Sequence, residues 1–136
     1  MAARTKARKR AVDVLYEADL RSGDRLAVLR DRIETGNPPV PEHTVRLVEG
    51  VDEHAARIDA LISEHARNWA LDRLPDVDRA ILRMATFELL WADDVPDAVV
   101  IDEAVQLAKE LSTDDSPAYV NGVLGAILAA EVPSQA

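Results

Sequence analysis

Residues 74–91, LPDVDRAILRMATFELLW, mix apolar residues and charges at helical spacing more densely than any other stretch of the chain. Ile81, Leu82, Met84, Ala85, Leu89 and Leu90 would cover well over half of a helix surface, which predicts a helix buried on most sides. Pro75 stands where a helix can begin, because its missing N–H would have no intrahelical acceptor there. Asp76 and Asp78 follow in the first turn, where negative charge meets the positive end of the helix dipole. Arg79, Arg83 and Glu88 leave a narrow polar strip. Spacing alone allows two uses for that strip: the solvated edge of a core helix, or a charged edge offered to a partner.

Around this spine the chain supplies enough for one all-α domain. Its 136 residues suit a single core, and 48% hydrophobic residues argue against disorder. Aromatic residues are scarce and no strand-like alternation runs far, so the expectation is a compact bundle of about seven helices. Two packed helical subdomains are expected, about 1–67 and about 68–132, within one domain spanning 1–136. The absence of cysteine excludes disulfides and thiolate metal sites and fits a reducing cytoplasm. No apolar h-region follows the basic start, and no apolar run approaches the ~18 residues of a membrane-spanning helix. A cytoplasmic protein is therefore expected.

Charge is unevenly placed. The chain carries a net −9, yet residues 1–10 hold Arg4, Lys6, Arg8, Lys9 and Arg10 with no acid among them. A basic end on an acidic body can bind a polyanion locally while the body discourages binding elsewhere. These cations open a helix expected over about 5–21, whose Ala7, Ala11, Val14, Leu15 and Ala18 recur at three- and four-residue steps. Cations oppose the dipole at a helix N-terminus, so the run is either a frayed solvated tail or an anion site. Tyr16 lies two turns on, as a base-stacking platform or a half-buried core residue.

Further along, Asp24 can cap a helix over about 25–34 with Leu26, Leu29 and Ile33 inward, and GNPPVP at 36–41 forces an extended loop. One long helix is expected over about 42–67, bent or broken at Gly50, with His43, His54 and His65 at its surface or ends. A single turn around Trp69 follows. Beyond the spine, a helix over 98–111 should bury Ile101, Ala104, Val105, Ala108 and Leu111. A last helix should start on Ser116 as cap and Pro117 as its first residue, with Gly122 and Gly125 permitting close backbone approach, to another helix above all or to a ligand. Residues 133–136 should be loose.

No phosphate loop, metal-ligand spacing or nucleophile elbow occurs, so no enzyme, metal or cofactor is expected.

Four blocks taken together resemble the NusB family of bacterial transcription antitermination factors. They are the basic start leading to AVDVLY at 11–16, DRAILR at 78–83, IDEAV at 101–105 with LAK at 107–109, and DSPAYVNGVL at 115–124. The resemblance covers nearly the whole chain, most weakly at 23–42. It implies two packed helical bundles and binding of the boxA element of nascent ribosomal RNA, with the ribosomal protein NusE as partner. The pair joins other Nus factors on RNA polymerase. By this resemblance Arg4, Lys6 and Arg8 meet phosphates, Tyr16 and Tyr119 face the RNA, and Asp115, Ser116 and Asn121 lie near bases. NusE would dock on Asp78, Arg79 and Arg83. Single-stranded RNA is read by stacking on aromatic side chains and pairing of base edges, with cations supplying unselective affinity.

The chain departs from the family pattern at Asp102, where Asn is usual, at Leu111 and Ser112, where an aromatic and Gly often stand, and at Thr5 within the basic run. Two other readings remain: a targeting module of a ribosomal RNA methyltransferase, against which stands the lack of room for a cofactor domain, and a helical homodimer burying its basic start.

Overall fold

The computed structural model describes residues 2–21, 23–66 and 71–131, with the backbone alone at 72. Seven α-helices account for most of it: α1 (Ala3–Leu20), α2 (Arg25–Thr35), α3 (Glu42–Glu53), α4 (Ala55–His65), α5 (Asp76–Trp91), α6 (Asp97–Leu111) and α7 (Ser116–Glu131). A 3₁₀ turn, Leu71–Arg73, precedes α5, and there is no strand among the described residues. The Trp69 turn, the boundary near 67 and residues 133–136 lie outside the described residues.

Helix α5 is the axis. It touches α1, α3, α4, α6 and α7. Residues 80–89 are all buried, and Ile81, Leu82 and Met84 are wholly excluded from water. Truncating any of these three to Ala would cost roughly 2–5 kcal/mol. On one side α1, α2 and α3 pack together; on the other lie α6 and α7, and α4 joins α5 and α7 despite preceding α5 in sequence.

Local signals account for several boundaries. The Asp24 carboxylate accepts the Ala27 N–H at 3.0 Å, satisfying an orphan donor at the start of α2. Gly36 closes that helix at φ 60°, a left-handed cap that suits glycine. Pro75 stands immediately before α5 and accepts the Arg79 N–H through its carbonyl. The Asn37–Pro38 bond in the proline loop is cis.

Other expectations need correction. The helix expected over 42–67 is two, interrupted at His54 rather than Gly50. Gly50 continues α3 because its missing side chain leaves room for Phe87; a Cβ there would sit 2.2 Å from the ring. The histidines do stand at helix ends, His43 in the first turn of α3, His54 between α3 and α4 and His65 as the last residue of α4; His43 Nε2 lies 3.3 Å from Glu88 in a nearly closed site. His54 stacks on Trp91 with ring centroids 4.1 Å apart. The inner face of α2 is Val28 and Leu29, leaving Leu26 and Ile33 exposed. In α6 the buried face is Val100, Ala104, Leu107 and Ala108, one position round from the expected stripe. Nothing approaches within 4 Å of the Cβ positions of Gly122 and Gly125, so they do not serve close packing within this chain.

Candidate nucleic-acid interface

Helical periodicity divides the basic run of α1 between two faces. Positions 6, 9, 10, 13 and 16 share one side, and positions 4 and 8 another. On the first side, Lys6, Lys9, Arg10 and Tyr16 line a groove of about 740 Å³. With α1 as one wall, Pro38, Pro39 and Pro41 of the proline loop, Val77 of α5 and Leu111 of α6 complete the lining. The Arg10 guanidinium donates to the Pro39 carbonyl at 3.3 Å, joining the loop to α1. The groove is therefore mostly apolar inside, with cations along one wall. That combination suits a ligand with a flat apolar part and a negative backbone, which is the chemistry of an unstacked nucleotide.

The second side of α1 faces acids. Arg8 is 2% exposed; its Nε and Nη2 donate to Glu88 at 2.7 and 3.0 Å, and its Nη1 donates to Glu103 at 3.1 Å. Burial alone would push this guanidinium down, but the carboxylates of Glu88 and Glu103 outweigh it and hold it above its ordinary value. Thr5 donates to Glu103 at 2.6 Å. Arg4 pairs with Asp94 at 3.2 Å, as does Arg46 at 2.8 Å. Hydrogen bonding to Arg46, and then to Arg4, holds the Asp94 carboxyl far below its usual range. Lys9, although it lines the groove, also pairs with Glu110. The electrostatic anomaly at the start of α1 thus has an internal answer: acids of α5, α6 and their loop neutralise it.

The expected site residues therefore separate. Lys6 and Tyr16 share the groove. Arg4 is exposed but points to Asp94, and Arg8 is closed inside the protein, where a phosphate could not reach it without unpacking α1. Lys9 and Arg10, left out of the expected set, belong to the groove; their spacing from Lys6 and Tyr16 was the available signal.

At the far end of the groove wall, Val77 and Leu111 adjoin in sequence a cluster of hydroxyls on Asp78. Ser112 and Ser116 donate to the two Asp78 carboxylate oxygens at 2.6 and 2.8 Å. Asp78 is 3% and Ser116 2% exposed. Ser116 is thus not a helix cap; its hydroxyl is committed to Asp78, and α7 begins with it. Tyr119 is half-buried one turn further on, and burial, with the Asp78 charge adding, pushes its phenol up. Asp115 and Asn121 are exposed. The α6–α7 turn and the groove accordingly lie side by side.

The polar strip of α5 is not a free charged edge. Arg79 donates to Asp19 at 2.6 Å and to Asp76 at 2.5 Å; Arg83 donates to Asp59 at 2.8 Å and to Asp19 at 3.1 Å. Burial raises the Asp19 carboxyl, but the two arginines prevail and hold it below its usual value. Asp78 and Arg83 are buried, and only Asp76 and part of Arg79 reach solvent. No group of His, Asp or Glu among the described residues could hold a metal ion, and no helix among them is long and apolar enough to cross a membrane.

Comparison with known proteins bears on this surface. A family model described as the NusB family matches residues 5–129. A transcription antitermination protein NusB of Streptomyces avermitilis is 61% identical over 130 residues, covering 92% of this chain and 90% of its own. The Saccharopolyspora erythraea protein of the same name is 63% identical over 129 residues, covering 93% and 87%. Among solved structures, NusB of T. maritima superposes with a TM-score of 0.85 at 34% identity, over 97% of this chain and 94% of that one. A structure of the antitermination factors NusB and NusE in complex with double-stranded RNA gives 0.82 at 32% identity, over 93% and 96%.

Proposed function

The chain belongs to the NusB family of transcription antitermination factors, and on that premise we propose that it binds boxA RNA of nascent ribosomal transcripts together with NusE, without catalysing a reaction. One observation supports this most: the groove sets Lys6, Lys9 and Arg10 beside Tyr16 and opens next to the α6–α7 turn. Cations along one wall give affinity for phosphates, whatever the sequence. Tyr16, Tyr119 and the exposed polar groups of Asp115 and Asn121 supply stacking and edge contacts, which discriminate among bases.

Arg4 contributes where an RNA phosphate replaces Asp94. Arg8 and Ser116 act from within, by fixing α1 and α7. NusE docks at the exposed end of α5, around Asp76 and Arg79, with Asp78 and Arg83 holding that end in place. The pair then joins the other Nus factors on RNA polymerase. Titration of a labelled boxA-like RNA, with and without NusE, tests the proposal. Binding that NusE strengthens is expected; no binding in either case would refute it.

A further inference from the structure

We propose that Asp78 is the positioning residue of the RNA surface: it sets the α6–α7 turn, and with it Tyr119 and Asn121, in the geometry that RNA needs. This rests on the RNA reading given above. The link between α6 and α7 is only residues 112–115, and Asp78 holds both of its ends. Ser112, directly after α6, donates to Oδ1 at 2.6 Å; Ser116, the first residue of α7, donates to Oδ2 at 2.8 Å. Ser112 and Ser116 also lie 3.0 Å apart, and Thr113 closes the ring on Ser116 at 2.8 Å.

This is one buried carboxylate shared between two helices by hydroxyl hydrogen bonds, the stronger kind that an ionised acceptor makes. It emanates from the first turn of α5, the most buried helix, so the turn inherits the rigidity of the core. Val77 and Leu111, the chain neighbours of Asp78 and Ser112, line the groove. A slackened clamp would therefore shift the α6–α7 turn relative to the Lys6–Tyr16 wall. Recognition contacts tolerate little misplacement when a ligand must engage two elements at once.

The sign of the effect separates positioning from charge. Removing a negative group near an RNA surface should tighten RNA binding if only electrostatics counted. Positioning predicts the opposite. Asp78→Ala should weaken binding of a labelled boxA-like single-stranded RNA by about tenfold or more, measured with helicity intact, and Asp78→Asn, which keeps one acceptor, should recover part of the loss. On the Asp78→Ala background Tyr119→Ala should add little, while Lys6→Ala should add its full effect, since coupling is confined to groups that share a support.

If Asp78→Ala does not fold, Ser112→Ala with Ser116→Ala carries the same expectation. RNA binding by the unmodified protein together with equal or tighter binding by these variants overturns the positioning role alone. Absence of RNA binding by the unmodified protein overturns the RNA reading and this proposal with it.

Discussion

Two faces of one helix receive the same kind of residue and put it to opposite uses. On the inner face of α1, Arg8 is sealed against Glu88 and Glu103. On the groove face, Lys6, Lys9 and Arg10 line an open cleft with Tyr16. A shift of two positions along a helix turns a cation from solvent to core. The lesson is that a basic run is not one patch: its charges have to be assigned by face before any is given to a ligand. The triple replacement of Arg4, Lys6 and Arg8, natural from sequence, would mix an interior pair with a surface contact.

The contrast is sharpest for stability. Arg8→Ala should destabilise the fold by roughly 3–5 kcal/mol, because Glu88 is left as an uncompensated buried charge. Lys6→Ala should change the unfolding free energy by no more than ~0.5 kcal/mol. Chemical denaturation of the two variants side by side checks this, and similar losses would erase the distinction between the faces. Next in size, Tyr16→Ala should weaken RNA binding by ~1–3 kcal/mol if a base stacks there, seen by titration at a temperature well below unfolding.

The pH effect nearest neutrality comes from the inner side of α1, where His43 meets Glu88. Burial, reinforced by the cations Arg4 and Arg8, lowers the His43 pKa, while Glu88 opposes. The folded state therefore prefers neutral His43, and the unfolded chain takes up the proton first, near its ordinary value of about 6.5. Stability from this group is complete above that pH and is lost as pH falls through and below it. Urea midpoints at pH 7 and 5.5 should diverge less in His43→Gln than in the unmodified protein. The lowered Asp19 and Asp94 carboxyls act in a separate, more acid window: their contribution is present above the ordinary aspartate value and lost as pH falls below it. The smallest effect should come from Glu110→Gln, which frees Lys9 at the groove. It should tighten RNA binding about two- to fivefold at low salt, the value of one exposed pair. That gain should vanish at 1 M salt.

Much of the fold was legible because its signals are local. Asp24 marks a helix end by its side chain and Gly36 and Pro75 by their backbone, and the density of apolar residues in 74–91 announces the buried axis. What could not be read depends on distant partners. Arg8 is an interior residue only because Glu88, eighty positions away, meets it. Gly50 looked like a break, since nothing nearby in sequence reveals that Phe87 fills its space. His54, where the chain does break, carries no local breaker. In the candidate site, helical spacing sets Lys6 and Tyr16 on one side of α1, while Ser116 and Asp78, to which the family resemblance assigns surface roles, bond each other inside. Nothing adjacent in sequence reveals that burial, which commits them to holding the turn.

The division of α1 into a structural and an RNA-facing side is tested most directly by Lys6→Ala with Lys9→Ala, titrated with boxA-like RNA at ~0.15 M salt, where bulk attraction is partly screened. Loss of affinity by about tenfold or more, with a flatter salt dependence and unchanged helicity, is the predicted result. Affinity equal to that of the unmodified protein would contradict it.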